Sequence, residues 1–142
     1  MFFTSRLRAW LAKWFRPKPL GQRGEDAAAR YLKRKGYRVV ARGHDSPLGE
    51  LDVIAVDGRT IVFVEVKTRR GSEAGSPAEA IDPRKMQRMT QSALAWLKSK
   101  GLLNQSARFD VVAVTWPDSA RRPAIEHYKN AFEPVGKGQF FR

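Results

Sequence analysis

The sequence predicts an α/β domain in which a helix, a strand, a β-hairpin, a second helix and further strands follow one another over about residues 21–132, behind a separate basic amphipathic helix. Three observations predict it. Two largely apolar runs, ELDVIAVDG and TIVFVEVKT, meet at Asp57-Gly58, a pair suited to a two-residue hairpin turn because such turns need residues tolerant of positive φ. Two stretches carry apolar residues at helical spacing, and each stops at a glycine, Gly36 or Gly101. A third apolar run, Ala107–Thr115, has the composition of a strand buried on both faces. At 142 residues without cysteine, the chain suits one compact domain with its own core, a disulfide framework and a thiolate metal site being excluded.

Residues 1–20 form a distinct segment. Its first 19 positions hold five basic residues and no acid. Phe3, Leu7, Trp10, Leu11 and Trp14 cover one helical arc, with Arg6, Arg8, Lys13 and Arg16 away from it. This is the pattern of an interfacial helix, so residues 2–16 suit either peripheral contact with an anionic membrane or packing on the domain or a second subunit. Arg8 and Lys13 interrupt any apolar core of a signal peptide. Pro17 and Pro19 separate the segment from the body.

The first domain helix is expected over about 23–35, with Glu25, Ala28, Ala29 and Leu32 along one stripe. An acid on that stripe either complements the helix dipole or serves a site. Tyr37–Ala41 reads as a strand and 43–49 as a loop, followed by hairpin strands at about 50–56 and 60–68. The stretch 69–82 is polar and reads as mobile. Asp82-Pro83 is a strong helix start, Asp at the N-cap and Pro at the first turn. That helix runs to Lys100 with Met86, Met89, Ala93, Trp96 and Leu97 as its core stripe. Pro117-Asp118 turns the chain after the strand at 107–115. Ala124–Tyr128 reads as a return strand, and 133–142 as a tail.

The hairpin carries the chemistry. Pairing its strands about Asp57-Gly58 sets Asp52 opposite Phe63 and Glu50 opposite Glu65, so that Glu50, Asp52, Glu65 and Lys67 gather on one face at its open end. Asp52 and Glu65, as diagonal neighbours, could converge on one hard cation with help from the Val66 carbonyl. Oxygen-only ligands favour Mg²⁺ or Mn²⁺ over zinc. Lys67 could then position a water or stabilise charge growing on a phosphate, with Glu25 and Glu50 completing or tuning the site. The alternative is a structural network in which Lys67 neutralises Glu65 or Asp52. His44 and His127 stand isolated and receive no role.

A net charge of +13 and a pI near 10.8 favour a polyanionic partner, most economically nucleic acid. Arg69, Arg70, Arg84, Lys85 and Arg88 surround the acids and would grip a phosphate backbone. No run reaches the roughly 18 apolar residues of a membrane span. A cytoplasmic protein, with or without membrane contact, is expected.

Asp52, twelve intervening residues, Glu65-Val66-Lys67 and an upstream helical Glu25 resemble the PD-(D/E)xK nuclease signature. GQRGEDAAARYLKRKGYRVVAR, LGELDVIAVDG, VFVEVKTRR and SPAEAIDPRKMQRM more closely resemble the YraN family of bacterial proteins, over about residues 21–132. The resemblance implies a restriction-endonuclease-like αβββαβ core, a mixed central sheet flanked by helices, in which the two acids bind metal and the lysine assists catalysis. That family is itself similar to archaeal Holliday-junction resolvases, which implies a metal-dependent endonuclease acting on DNA, branched DNA included. Symmetric cutting of a junction would need a homodimer, which the sequence neither shows nor forbids. A non-catalytic nucleic-acid-binding module of the same fold is the competing reading. Leu51 stands where the signature has Pro, and residues 1–19 lie outside the resemblance.

Overall fold

The computed structural model describes residues 5–15, 18–43, 48–71, 81–118 and 121–136. His44, much of the 69–82 stretch and the last six residues lie outside that set, as do the side chains of 11–17. The elements are α1 (Ser5–Phe15), α2 (Leu20–Arg34), β1 (Arg38–Arg42), β2 (Val53–Asp57), β3 (Thr60–Arg70), α3 (Pro83–Ser99), β4 (Ala107–Trp116) and β5 (Ala124–Phe132). The strands form one five-stranded sheet in chain order, with β3 and β4 parallel and every other pair antiparallel. Alternation along the strands divides the core in two. Ile54, Ile61, Phe63, Phe109 and Val111 pack on Met89, Ala93 and Leu97 of α3. Val53, Ala55, Val62, Val64, Val112 and Val114 pack on Ala27, Ala28 and Leu32 of α2. The result is the restriction-endonuclease-like αβββαβ arrangement with an additional strand and a leading helix.

Local chemistry explains the element ends. Gly36 (φ +93°) and Gly101 (φ +69°) take the left-handed conformation that stops α2 and α3. Asp82 caps α3 by accepting from the Lys85 N–H at 2.8 Å, with Pro83 at the first turn. In α1 residues 5–10 are exposed, Leu7 and Trp10 by 37% and 55%. Among the described residues no helix is long and apolar enough to cross a membrane.

Two expectations require correction. The hairpin turns at Gly58-Arg59, with Asp57 pairing Thr60 inside the sheet. Gly58 supplies the positive φ (+63°) at the first central position, and Arg108 draws Asp57 into the ladder by donating to its carboxylate at 3.0 Å. The register therefore moves by two residues while each side chain keeps its face. The return strand also runs past Tyr128 to Phe132. A bulge between Phe109 and Val111 breaks its alternation, and Asn130 (φ +51°) gives its N–H to the Asp110 carboxylate at 2.9 Å.

Helix α2 lies unusually close to β3 at Gly24, where an added Cβ would sit 1.8 Å from Thr68 Oγ1. Gly24→Ala is therefore expected to destabilise the domain by about 1–3 kcal/mol. Thr68→Ala in the same chain should restore part of the loss. Urea melts of the two variants check this, and a neutral Gly24→Ala would contradict the close approach.

Candidate active site

The acids of the hairpin collect where β2 and β3 part. Val53 pairs with Val64 as the last rung of the ladder, so Asp52, just ahead of β2, and Glu65 are the next residues outward and lie within electrostatic range of each other. There β2 leaves the sheet, and Asp52 Oδ2 takes over as acceptor for the Val66 N–H at 2.8 Å. Glu65 is 4% exposed, and among the described residues no hydrogen bond reaches its Oε2. Two ammonium groups stand near it instead, Lys67 Nζ at 3.5 Å from Oε1 and Lys85 Nζ at 3.6 Å from Oε2. Burial, reinforced by the neighbouring Glu65 charge, pushes the Asp52 carboxyl up to about 7; the Val66 N–H and the Lys85 charge offset only part of this.

Glu50 lies in the turn ahead of β2, not in the strand. Gly49 (φ +67°) makes that turn, packed close to Ser92 of α3, whose Oγ accepts from the Glu50 N–H at 3.4 Å. The turn presents Glu50 to α3, where it accepts from Lys85 Nζ at 2.7 Å and pairs with Arg88 Nε at 3.2 Å. The Lys85 bond holds the Glu50 carboxyl below its ordinary range. Burial works against the charged form of Lys85, but the Glu50 bond and the Glu65 charge outweigh it and raise its pKa.

Glu25 enters from the other face of the sheet. It is 8% exposed near the start of α2, and it accepts from Arg42 Nε at 3.1 Å. The same guanidinium bonds Asp26, and Lys18 adds a contact to Asp26 at 3.0 Å. The Glu25 charge still reaches Asp52 and contributes to its raised pKa. Among the described residues no group of three or more His, Cys, Asp or Glu side chains converges as a metal cage. Two carboxylates, Asp52 and Glu65, with Lys67 beside them, are therefore the centre of the site.

The basic residues divide into two sets. Lys85 and Arg88 are engaged with acids, so they compensate charge within the cluster. Arg70 and Arg84 are exposed, and Arg69 is half-buried near the end of β3. Sequence reasoning missed Arg42. Its position was nonetheless readable, because the end of an antiparallel β1 must meet the start of β2. It also missed His127, which pairs through Nε2 with Asp110 Oδ2 at 2.8 Å and through Nδ1 with the Tyr31 hydroxyl at 3.3 Å. Arg108 Nε completes the support of Asp110 at 2.9 Å, in a partly buried network on the α2 face that reaches Asp57 at the hairpin tip, away from Asp52 and Glu65. Burial opposes the Asp110 charge, but the His127 and Arg108 bonds keep its carboxyl below the ordinary range.

The αβββαβ core with its mixed central sheet defines a restriction-endonuclease-like fold. A profile of "Uncharacterised protein family UPF0102" matches residues 24–114, and the chain belongs to that family, the YraN family of the sequence resemblance. The UPF0102 protein GSU0650 of Geobacter sulfurreducens is 52% identical over 118 residues, 82% of this chain and 90% of that protein. The UPF0102 protein RB9115 of Rhodopirellula baltica is 49% identical over 125 residues, 86% of this chain and 75% of that protein. A solved structure of Hjc, a Holliday junction resolvase from the hyperthermophile Archaeoglobus fulgidus, aligns with 76% of this chain and 75% of its own at 20% identity and a TM-score of 0.36, a likeness too loose to support a shared activity.

The raised carboxyl makes a prediction about stability. The folded chain holds the Asp52 proton more tightly than the unfolded one, so between about pH 3.8 and 7 it binds more protons and this group's contribution weakens as pH rises. Asp52→Asn, which keeps an acceptor for the Val66 N–H, should remove a slope of up to about 1.4 kcal/mol per pH unit. Comparison with wild type cancels the opposite contributions of Asp26, Glu50 and Asp110, whose lowered pKa values lose stability in acid. In melts from pH 4 to 8 without metal, the variant should gain on wild type toward high pH. A constant difference would contradict the assignment.

Proposed function

We propose that this protein is a divalent-metal-dependent endonuclease that hydrolyses DNA phosphodiester bonds, branched DNA included. The observation that carries the proposal is the juxtaposition of Asp52 with a buried Glu65 whose Oε2 accepts no hydrogen bond among the described residues. Two such carboxylates repel while both are ionised, and a hard cation relieves the repulsion better than a proton does at neutral pH. The all-oxygen donor set fits Mg²⁺ or Mn²⁺, held by Asp52, Glu65 and the Val66 carbonyl. When bound, such an ion supplies Lewis acidity, lowering the pKa of a water and polarising a phosphoryl oxygen.

The residues of the chain supply the rest. Lys67 follows Glu65 by two positions on the same strand face and keeps its ammonium 3.5 Å from that carboxylate. In the proposed mechanism it orients the attacking water and stabilises the charge that grows on the phosphate. Lys85, fixed by Glu50, limits the net negative charge facing an anionic substrate. Glu25, tied to Arg42, tunes the site from its margin. Arg69, Arg70 and Arg84 contribute phosphate contacts around it. Acidic chemistry inside a basic surface suits a polyanionic substrate, and the charge of +13 supports that choice.

One observation favours a second reading, a nucleic-acid-binding module without catalysis. Lys67 and Lys85 already compensate the acids, and among the described residues no third acid joins Asp52 and Glu65 in a metal-holding group. The deciding experiment is a cleavage panel of branched, flapped, single-stranded and duplex DNA with Mg²⁺ or Mn²⁺. Asp52→Ala and Glu65→Ala should each abolish cleavage, Lys67→Ala should reduce it by at least about 100-fold, and all three should retain DNA binding. Metal should also raise the melting temperature more at pH 8 than at pH 6, an effect lost in Glu65→Gln. Full activity in Asp52→Ala and Glu65→Ala would overturn the proposal. Metal-indifferent binding without any nicking would establish the second reading.

A further inference from the structure

A second basic feature lies on the α2 face of the sheet, opposite the face that α3 covers. A cleft of about 670 Å³ is lined on its helical side by Arg23, Arg30 and Arg34, and toward the β4–β5 connection by Arg121 and Arg122, with Trp116 at its base. The three helical arginines recur at intervals of seven and four residues, so one face of α2 presents them all. From first to last they span about 16 Å of helix, the rise of roughly five nucleotides along one strand. The Arg23 guanidinium is stacked over the Trp116 ring at 4.6 Å, which orients it before any ligand arrives. Trp116 is 9% exposed, and its indole Nε1 makes no hydrogen bond among the described residues. Among the described residues the cleft has one acidic lining residue, Asp26, and that carboxylate is already held by Arg42 and Lys18.

Five guanidiniums so arranged repel one another until an anion bridges them, and each can grip a phosphate through two parallel N–H bonds. We infer that this cleft binds the sugar–phosphate backbone of a nucleic-acid strand, at a site separate from the acidic cluster. The inference rests on the nucleic-acid reading above for the nature of the polyanion, but on neither metal nor cleavage. A concave channel fits a strand, whereas a lipid surface is flat and is met by protruding apolar side chains, which the base of this cleft lacks. The cleft also connects with the site. Trp116 pairs with Arg70 across β3 and β4, and its carbonyl accepts from the Gly71 N–H at 2.8 Å, so Arg69 and Arg70 carry the basic surface over the end of these two strands. A branched substrate could thus be held by one strand here while another lies at the acids.

The test measures binding of a labelled four-way junction and of a single strand to the full chain in EDTA, from about 50 to 200 mM salt. Arg30→Gln/Arg34→Gln and Arg121→Gln/Arg122→Gln should each weaken binding at least about tenfold and reduce the salt slope by about two, the value for two lost phosphate contacts. Lys98→Gln/Lys100→Gln removes equal charge elsewhere and should have a smaller effect; an equal effect would overturn the cleft in favour of general charge. Unchanged affinity and slope in both cleft variants, with wild-type melting temperatures, would overturn it outright. Loss of binding to phosphatidylglycerol vesicles with DNA binding intact would assign the cleft to lipid and overturn the proposal as well. Asp52→Ala serves as reference. If wild type cuts no substrate yet the cleft variants still lose binding, hydrolysis fails and the cleft stands; if wild type cuts and the cleft variants bind normally, the cleft alone fails.

Discussion

The register of the β2–β3 hairpin brings together the two acids, Asp52 and Glu65, at the centre of the candidate site. Val53 against Val64 and Ile54 against Phe63 bury alternate residues on the two faces of the sheet, and that burial holds the pairing against slippage. A slip of one residue would turn Asp52 away from Glu65 and carry Val64 from the α2 core into the α3 core. Apolar packing thus holds together two carboxylates that repel each other. The opposition is visible in the Asp52 carboxyl, pushed up to about 7 by burial and by Glu65.

The surrounding elements manage the charge that this register concentrates. Helix α3 contributes Lys85 and Arg88 to Glu50, and β1 contributes Arg42 to Glu25 and Asp26. Both ion-pair groups involve side chains that are partly sheltered from water, where removal of one partner leaves its counterpart uncompensated. The close approach of α2 at Gly24 holds Glu25 within electrostatic range of Asp52 from the opposite face of the sheet. The acidic centre therefore depends on three elements beyond the hairpin itself.

A separate polar network steadies the distant half of the sheet. Asp110 is fully buried and accepts from Arg108, His127 and the Asn130 N–H. Those bonds meet the carboxylate's need for donors, which is why the charge persists in an otherwise apolar layer. Arg108 extends the network to Asp57 and Tyr37, joining β4 to the hairpin tip. This end of the sheet is rigidified by satisfied charges, whereas at the end bearing Asp52 and Glu65 the Glu65 Oε2 accepts no hydrogen bond among the described residues.

Much of this was legible in the residues alone. Apolar periodicity, the Asp82-Pro83 start and the glycine stops located both domain helices, because short-range sterics and capping act over a few residues. Strand alternation placed Asp52, Glu65 and Lys67 on one face, since moving a two-residue turn by one position shifts the register by two and leaves parity intact. The turn itself was misjudged by one residue, for the Arg108 contact that draws Asp57 into the ladder comes from a strand some fifty positions later. The same limit hid the role of His127 and the pairing of Lys85 with Glu50, whose partners are distant along the chain. What the sequence by itself determined was the elements and the face on which the acids stand. Only the tertiary structure decided which cations neutralise them and which arginines are gathered into a cleft, because charge partners are chosen by distance in space.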